Sequence, residues 1–272
     1  MTTPSPPALT LQELAEDPDH HFARIPAAAR RHVASRFTLL LSPSNAQSMT
    51  TRIRATAEDL DDTIAEVRRV VREAGYVRNV WHAGPSSRPE GLARRLAERG
   101  FVPATRPPYE PTVTAMALAQ PPAIAASAGV EVRLARDVDE YRQAIGIAIE
   151  AFNETPEDAA GWLEAVPSLW AAHDGVHYFT HLALVDGRTV GFGFSSVVGR
   201  AVLLGGSGVL EAARGRGVYR ALVAARWELA RRLGHAGLII HAGSMSRPIL
   251  ERCGFETVCR IDVLEDTGLL TG

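Results

Sequence analysis

The segment EAARGRGVYRAL, residues 211–222, places three arginines and two glycines within seven positions, directly before an apolar helical pattern. Gly215 and Gly217 permit a tight turn and leave the surrounding amides uncovered. The helix that follows begins with N–H groups that have no partner inside the helix, and its dipole adds roughly +0.5 charge at that end. Full positive charges come from Arg214, Arg216 and Arg220. The segment therefore predicts an anion site suited to a pyrophosphate, with a solvated basic turn that only caps the helix as the alternative.

The composition excludes several other chemistries. All 29 residues counted as lysine or arginine are arginine, so no lysine is present to form a Schiff base or to serve a Walker-type phosphate loop. A net charge of −2 provides no basic field for nucleic acid or an anionic membrane. No apolar run is long enough to cross a bilayer, and the N-terminal residues lack the features of a secretory signal. We therefore expect a cytoplasmic protein. Cys253 and Cys259 are expected to pack as small apolar residues.

The elements that position the arginine–glycine segment follow from hydrophobic periodicity and turn residues. Residues 176–199 predict two strands joined at Asp186-Gly187, which is a strong hairpin signal. The predicted elements that follow are a glycine-rich strand at 201–210, a helix at 217–233, a strand at 236–243, and a closing helix and strand within 247–264. This order predicts an α/β (α+β) protein with a mixed sheet, antiparallel first and parallel later.

The chain divides into four predicted parts, and the two large parts share a pattern. Residues 1–20 are polar and proline-rich and predict a flexible arm, while the Pro/Ala-rich residues 121–129 predict a linker. Residues 21–120 and 130–272 each end in a helix, a Gly-Phe stop (ERGF and RCGF) and a strand. This similarity indicates a duplicated domain.

The arrangement over about residues 130–266 resembles the GNAT superfamily of N-acetyltransferases. The family motif Gln/Arg-x-x-Gly-x-Gly/Ala follows the fourth strand, and Arg214, Gly217 and Tyr219 occupy its three positions. Tyr219 departs from the motif, and the sequence leaves open whether its side chain crowds the pyrophosphate or stacks near an adenine. The segment SRPILERCGF is also similar to the family. Residues 21–120 resemble a degraded copy of the same fold without a glycine-rich turn, which is expected to lack coenzyme binding and to form a wall of the acceptor pocket.

The resemblance implies two GNAT-like domains, each with a mixed, mostly antiparallel twisted sheet flanked by helices, and an acetyl-coenzyme A site between splayed fourth and fifth strands. Backbone groups of Val209 and Leu210 would pair with the pantetheine arm, and Ser246 would lie near the thioester. The backbone expected to hold the pyrophosphate is that of Arg214, Gly215, Arg216, Gly217, Val218, Tyr219 and Arg220. The residues expected at the acceptor pocket are Glu150, Asn153 and Glu154, with a solvated helix terminus as the alternative. No metal is expected.

The catalytic groups are harder to assign, because the predicted fourth strand contains neither the carboxylate nor the histidine that many members use as a base. His181, on the hairpin, is a candidate base, with a satisfied or solvated histidine as the alternative. The tyrosine that many members use as the general acid is replaced by Leu250. Ser244 and Ser246 are substitute hydrogen-bond donors, or else helix caps.

The leading hypothesis is an N-acetyltransferase that moves an acetyl group from acetyl-coenzyme A to an amine of a small-molecule acceptor by direct attack. The missing base and tyrosine favour a second hypothesis, a non-catalytic acyl-coenzyme A-binding or regulatory protein. A third is acylation of a protein partner. The sequence leaves open the acceptor, the acyl chain length and the oligomeric state, including a homodimer.

Overall fold

The computed structural model describes residues 9–27, 29–42, 47–106, 109–123 and 129–269. The strands are β1 (Arg30–Val33), β2 (Thr38–Ser42), β3 (Gln47–Thr51), β4 (Arg78–Ala83), β5 (Val102–Pro103), β6 (Thr112–Leu118), β7 (Val130–Leu134), β8 (Tyr178–Val185), β9 (Arg188–Val198), β10 (Ala201–Val209), β11 (Leu238–Ala242) and β12 (Glu256–Glu265). The α-helices are α1 (Leu11–Glu16), α2 (Leu60–Glu73), α3 (Leu92–Ala97), α4 (Val138–Phe152), α5 (Pro156–Trp170), α6 (Val218–Arg232) and α7 (Arg247–Arg252).

The strands form one mixed sheet within the described part of the chain. Its order is β1-β2-β3-β4-β12-β6-β11-β10-β9-β8-β7, and β5 pairs with β12 beside this path. The parallel pairs are β3 with β4 and β10 with β11, and the helices α2 and α6 connect them. The predicted fold class, a mixed and mostly antiparallel sheet flanked by helices, is confirmed.

The two halves of the chain exchange strands at the centre of the sheet. β6 belongs to the first half by sequence, yet its residues 114–118 pair with β11 over the whole length of β11. β12, the last strand of the chain, pairs with β4 of the first half and with β6. The predicted linker at 121–129 therefore separates two chain segments whose strands interleave, and its residues 124–128 lie outside the described residues. The domain boundaries themselves stay a prediction.

The predicted arm at residues 1–20 is wrong for its second part, whereas residues 1–8 lie outside the described residues. A capping box formed by Thr10 and Glu13 starts α1, and a 3-10 turn at Pro18–His21 follows. Leu14 is fully buried in a cluster with Ile239 and Ile261 of the central strands. The sequence analysis missed this helix because its six residues are too few for a clear apolar periodicity.

Helices cover both faces of the second half. α6 and α7 pack with β10 and β11 in one buried cluster around Val223, Leu250 and Phe255. The other face is covered by α4 and α5, whose packing centres on Tyr141 and Val166. In the first half, α2 and α3 pack over a separate cluster that contains the fully buried Trp81. In the described ranges, no helix has the length and apolar character needed to span a bilayer.

Candidate functional site

A cleft opens in the sheet between β10 and β11. The two strands are paired at only two positions, Val202 with Leu238 and Leu203 with Ile239. Beyond them, β11 continues along β6 to Ala242, while β10 continues along β9 to Val209. A register irregularity in the β9–β10 pairing falls between Leu204 and Ser207, at the point of separation. The two strands therefore diverge in the direction of the arginine–glycine turn.

This cleft leads into a cavity of about 660 Å³. Its lining comes from β10, the turn, α4, α6, α7, the loop before α7 and one residue of the first half. The lining residues are Glu110, Ala151, Phe152, Ser207, Gly208, Val209, Ala213, Arg214, Gly215, Gly217, Val218, Tyr219, Arg220, Gly243, Met245, Ser246, Ile249 and Arg252. Most of the predicted coenzyme-binding residues therefore surround one cavity.

The arginine–glycine turn has the predicted backbone geometry. Gly215 and Gly217 have φ angles of 77° and 81°, in the left-handed region that favours glycine. Gly217 is the N-cap of α6 and supplies no side-chain cap. Among the described residues, no backbone carbonyl accepts a hydrogen bond from the amides of residues 215–219. These donors and the positive end of the α6 dipole are the elements of an anion site.

The arginines of the turn differ in their surroundings. Arg214, Arg220 and Arg252 line the cavity and give this end a positive charge. The Arg216 side chain does not belong to the lining, and its Nη2 lies 3.6 Å from the exposed Asp186 of the β8–β9 turn. The predicted contribution of Arg216 is therefore limited to its backbone.

The backbone of β10 presents alternate residues to the cleft. The amide of Leu210 donates to the Val190 carbonyl at 2.9 Å, so it is directed toward β9 and away from the cleft. The direction of this amide does not fit the prediction that backbone groups of Leu210 pair with a pantetheine arm. Because backbone polar groups alternate in direction along a strand, those of Val209 and Ser207 face the cleft. The Val209 carbonyl accepts from the Arg214 Nε at 3.3 Å, and the Val209 amide is left for the predicted pairing.

Tyr219 packs inward from the first turn of α6. Its ring contacts the buried cluster between α6 and α7 and lines the cavity, and burial raises the pKa of its phenol. The larger side chain at this motif position therefore fills space between two helices and leaves the amides of the turn uncovered.

Ser246 and Leu250 lie on α7 as the sequence analysis expected. Ser246 lines the cavity and stands at the N-cap of α7 without making a side-chain cap. Its hydroxyl donates to the Gly243 carbonyl at 3.3 Å. Leu250, at the position where the family has tyrosine, is fully buried and offers no acid.

The predicted base and acceptor residues are not gathered at this cavity. His181 is 2% exposed and outside the lining, and burial together with Arg226 lowers its pKa to about 3, so it does not fit the predicted role of a base. Glu150 lines a separate shallow groove. Asn153 ends α4 in the left-handed conformation, with φ 53°. Glu154 has a buried Oε1 without a partner, and burial and the nearby Asp158 raise the pKa of its carboxyl.

The cavity residues that the sequence analysis missed include Glu110, Ser207 and Arg252. Glu110 lies in the proline-rich segment before β6, and both of its carboxylate oxygens accept from the Ser244 amide, at 3.0 and 2.8 Å. A Cβ on Gly243 would lie 2.3 Å from the Glu110 Oε1, so glycine is needed for this approach. Ser207 lies among the glycines of β10. No local pattern marks Glu110, because its partner is 134 residues away.

No protein-family model matches the chain, and no curated protein matches it in sequence. Solved structures match its fold. A GCN5-related N-acetyltransferase from Kribbella flavida matches with a TM-score of 0.70 and 17% identity, over 94% of this chain and 95% of that one. A tandem GNAT protein from the clavulanic acid biosynthesis pathway matches with a TM-score of 0.60 and 15% identity, over 94% and 93%. This chain has the tandem GNAT fold. A further GCN5-related N-acetyltransferase, from Sphaerobacter thermophilus, gives a TM-score of 0.59 and 17% identity, over 86% and 81%.

Within the tandem GNAT fold, the first half has its own helix between parallel strands, but the turn before it differs from the turn before α6. Asp17 supplies a carboxylate there: its Oδ1 accepts from the Arg52 amide and its Oδ2 from the Arg54 guanidinium, both at 3.0 Å. The first turn of α2 also contains two acidic residues, Asp61 and Asp62. These carboxylates oppose a second anion at this place. The absence of coenzyme binding in the first half stays a prediction, and these contacts are its physical basis.

Proposed function

We propose that this protein is an acyl-coenzyme A-dependent N-acyltransferase that moves an acetyl group to an amine of a small molecule. The observation that carries the proposal is the cleft between β10 and β11, which leads to a turn of uncovered amides at the start of α6. Coenzyme A needs both features, because its diphosphate requires hydrogen-bond donors and its pantetheine arm carries amides that pair with a strand edge.

Different residues of the cavity bind different parts of coenzyme A. The amides of residues 215–219 and the Arg214 guanidinium hold the diphosphate, with Arg220 and Arg252 adding positive charge. The Val209 amide and the backbone groups of Ser207, which face the cleft, pair with the pantetheine arm. Gly208 is required between them, since a Cβ there would lie 2.8 Å from both the Ala151 Cβ and the Phe192 Cε1.

The reaction needs a neutral amine. An amine with a pKa near 10.4 is neutral in about one molecule in 10³ at pH 7, a cost of roughly 4 kcal/mol, and a positioned base supplies about 10²- to 10⁴-fold in rate. Glu110 supports this role, because it is the one carboxylate among the lining residues in the described part of the chain. The nitrogen attacks the thioester carbonyl, the C–S bond breaks, and the proton lost by the nitrogen passes through the Glu110 carboxylate and ends on the sulfur.

The alternative is a protein that binds acyl-coenzyme A without turnover. The burial of Leu250 at the tyrosine position and the absence of an ionisable side chain on β10 favour it. Acetyl-coenzyme A consumption with a panel of amines separates the two, because binding without thiol release supports the alternative.

Calorimetry with coenzyme A tests the binding step. We expect Arg214→Gln to weaken affinity about 10-fold, since it removes one charge-assisted hydrogen bond. Arg231→Gln is the control, because Arg231 lies in the last turn of α6, away from the cavity, is exposed and pairs with Glu228. No affinity in the natural protein, or equal losses in both variants, would refute the site.

Thiol release with an amine that the natural protein acylates tests Glu110. We expect Glu110→Gln to lower kcat by about 10²-fold while the affinity for coenzyme A stays unchanged, because the amide retains an oxygen for the Ser244 amide. Glu251→Gln is the matched control on α7, where Glu251 is exposed and pairs with Arg247. An unchanged kcat in Glu110→Gln would exclude the carboxylate as the base.

A further inference from the structure

A fully buried guanidinium lies directly behind the cavity. Arg226, in the middle of α6, is 0% exposed. Its Nε donates to the Leu222 carbonyl at 3.0 Å, and its Nη1 donates to the Ser207 hydroxyl at 2.7 Å. Its Nη2 is buried without a partner, and among the described residues no carboxylate forms an ion pair with it. Burial lowers the pKa of Arg226 to about 10, so the group remains a cation at neutral pH.

A glycine in the sheet leaves space for this guanidinium. His181 on β8, Gly193 on β9 and Ser207 on β10 are aligned in register across three strands. A Cβ on Gly193 would lie 3.0 Å from the Arg226 Cζ. The guanidinium therefore lies over the glycine, and the neutral His181 beside it adds no second charge. Burying a charge without an ion-pair partner lowers the stability of the fold by several kcal/mol. The side-chain hydroxyl to which Arg226 donates is that of Ser207, which lines the cavity.

Ser207 is suited to donate a hydrogen bond into the cleft. Its oxygen accepts from Arg226, while its own proton is donated to the Gly205 carbonyl at 3.1 Å. That distance is long for a hydroxyl donor, for which about 2.7–2.8 Å is usual. A hydroxyl polarised by a cationic donor gives a stronger hydrogen bond to an anion. Ser207 lies beyond the last β10–β11 pair and lines the cavity.

We infer that the Ser207 hydroxyl is a catalytic hydrogen-bond donor to the sulfur of coenzyme A, and that Arg226 is a positioning residue that orients and polarises it. The inference rests on the proposed function. With the diphosphate at residues 215–219, the pantetheine arm extends along β10 past Val209, which brings the sulfur toward Ser207. As the C–S bond breaks, its electron pair passes to the sulfur, and the Ser207 O–H turns from Gly205 to that thiolate. The amine proton finally ends on the sulfur, so Ser207 itself is unchanged.

The affinities of coenzyme A and desulfo-coenzyme A, measured by calorimetry between pH 6 and pH 9, where Arg226 stays charged, test this contact. A cysteine thiol has a pKa of about 8.5, and the thiol of coenzyme A also ionises in the alkaline range, so a donor to the thiolate makes the preference for coenzyme A grow as the pH rises. The other charged or titratable groups at the cavity are Glu110, Arg214, Tyr219, Arg220 and Arg252, and all of them are present in every variant compared. Their effect therefore cancels in the comparison.

We expect Ser207→Ala to reduce the preference at pH 9 by about 10-fold, and Arg226→Met to reduce it similarly. Ser195→Ala is the matched control, because Ser195 lies on the neighbouring β9, is buried and has no hydrogen-bond partner for its hydroxyl. Ser207→Ala removes only one oxygen, so the test stands even where Arg226→Met does not fold. An equal preference in the natural protein and Ser207→Ala overturns the inference, whereas no binding of either ligand by the natural protein overturns the proposed function as well.

Discussion

The exchange of β6 and β12 between the two halves of this protein predicts that the halves unfold together. A substitution at Asp266 tests this prediction. Asp266 follows β12 directly, and its fully buried carboxylate accepts from the Arg68 Nε and Nη2 of α2 at 2.8 and 2.7 Å. Its Oδ1 also accepts from the Gly268 amide at 3.0 Å. These bonds hold the end of β12 against the first half.

We expect Asp266→Asn to destabilise the protein by about 3 kcal/mol. Removing one partner of a buried ion pair costs about 3–5 kcal/mol of stability. Because Arg68 is 27% exposed, water can solvate its unpaired guanidinium, so we expect the lower end of that range. With a urea m-value of roughly 3 kcal/mol per molar, the midpoint falls by about 1 M. The control is Glu73→Gln, which breaks an exposed pair with Arg69 on the same helix and is expected to cost below about 0.5 kcal/mol.

Hydrogen exchange measured on separate peptides distinguishes joint from independent unfolding. Because β12 pairs with β4 and β6, and β6 pairs with β11, we expect Asp266→Asn to accelerate exchange in both β2 and β11. A loss of about 3 kcal/mol corresponds to roughly 10²-fold faster exchange where global unfolding is the route. Faster exchange in β2 with β11 unchanged would refute the coupling through exchanged strands.

Three further perturbations follow from the structure. Gly208→Val places a side chain against Ala151 and Phe192, where even a Cβ would lie at 2.8 Å. We expect it to lower stability by about 1–3 kcal/mol in thermal denaturation and to block coenzyme A binding, and a stable variant that binds normally would contradict the close packing. His82 is buried with both ring nitrogens unpartnered, and burial lowers its pKa to about 3. Since the unfolded chain takes up this proton below pH 6.5 and the folded protein does not, stability should fall from pH 6.5 toward pH 3, with a shallower slope in His82→Leu. Burial also raises the pKa of the Cys253 and Cys259 thiols, that of Cys259 to about 12, so alkylation of the native protein at pH 8 should be slow and should accelerate in urea.

The local elements of the second half were predictable because each is encoded by nearby residues. Asp186 and Gly187 adopt positive φ angles at the predicted hairpin, and the apolar face of 217–233 corresponds to α6, Val218–Arg232. The turn at Gly215 and Gly217 was equally local, since two left-handed residues before an apolar helix determine where the uncovered amides point. Within the motif, only the direction of the Arg216 and Tyr219 side chains depended on neighbours distant in sequence.

The parts that depend on tertiary structure are those where distant segments meet. The sequence contains no sign that β6 pairs with β11, because strand register depends on which apolar faces are buried together and not on local pattern. Glu110 reaches the cavity only because β6 is inserted in the second half. Arg226 has the helical spacing of the buried face of α6, but that spacing does not show which acceptor its guanidinium meets. The amino-acid sequence alone thus determined the turn and the helix start at which we propose that an anion binds. The groups that we propose beside the reacting atoms were decided by the exchange of strands and the packing of α6 on the sheet, because these bring together side chains from segments far apart in the chain.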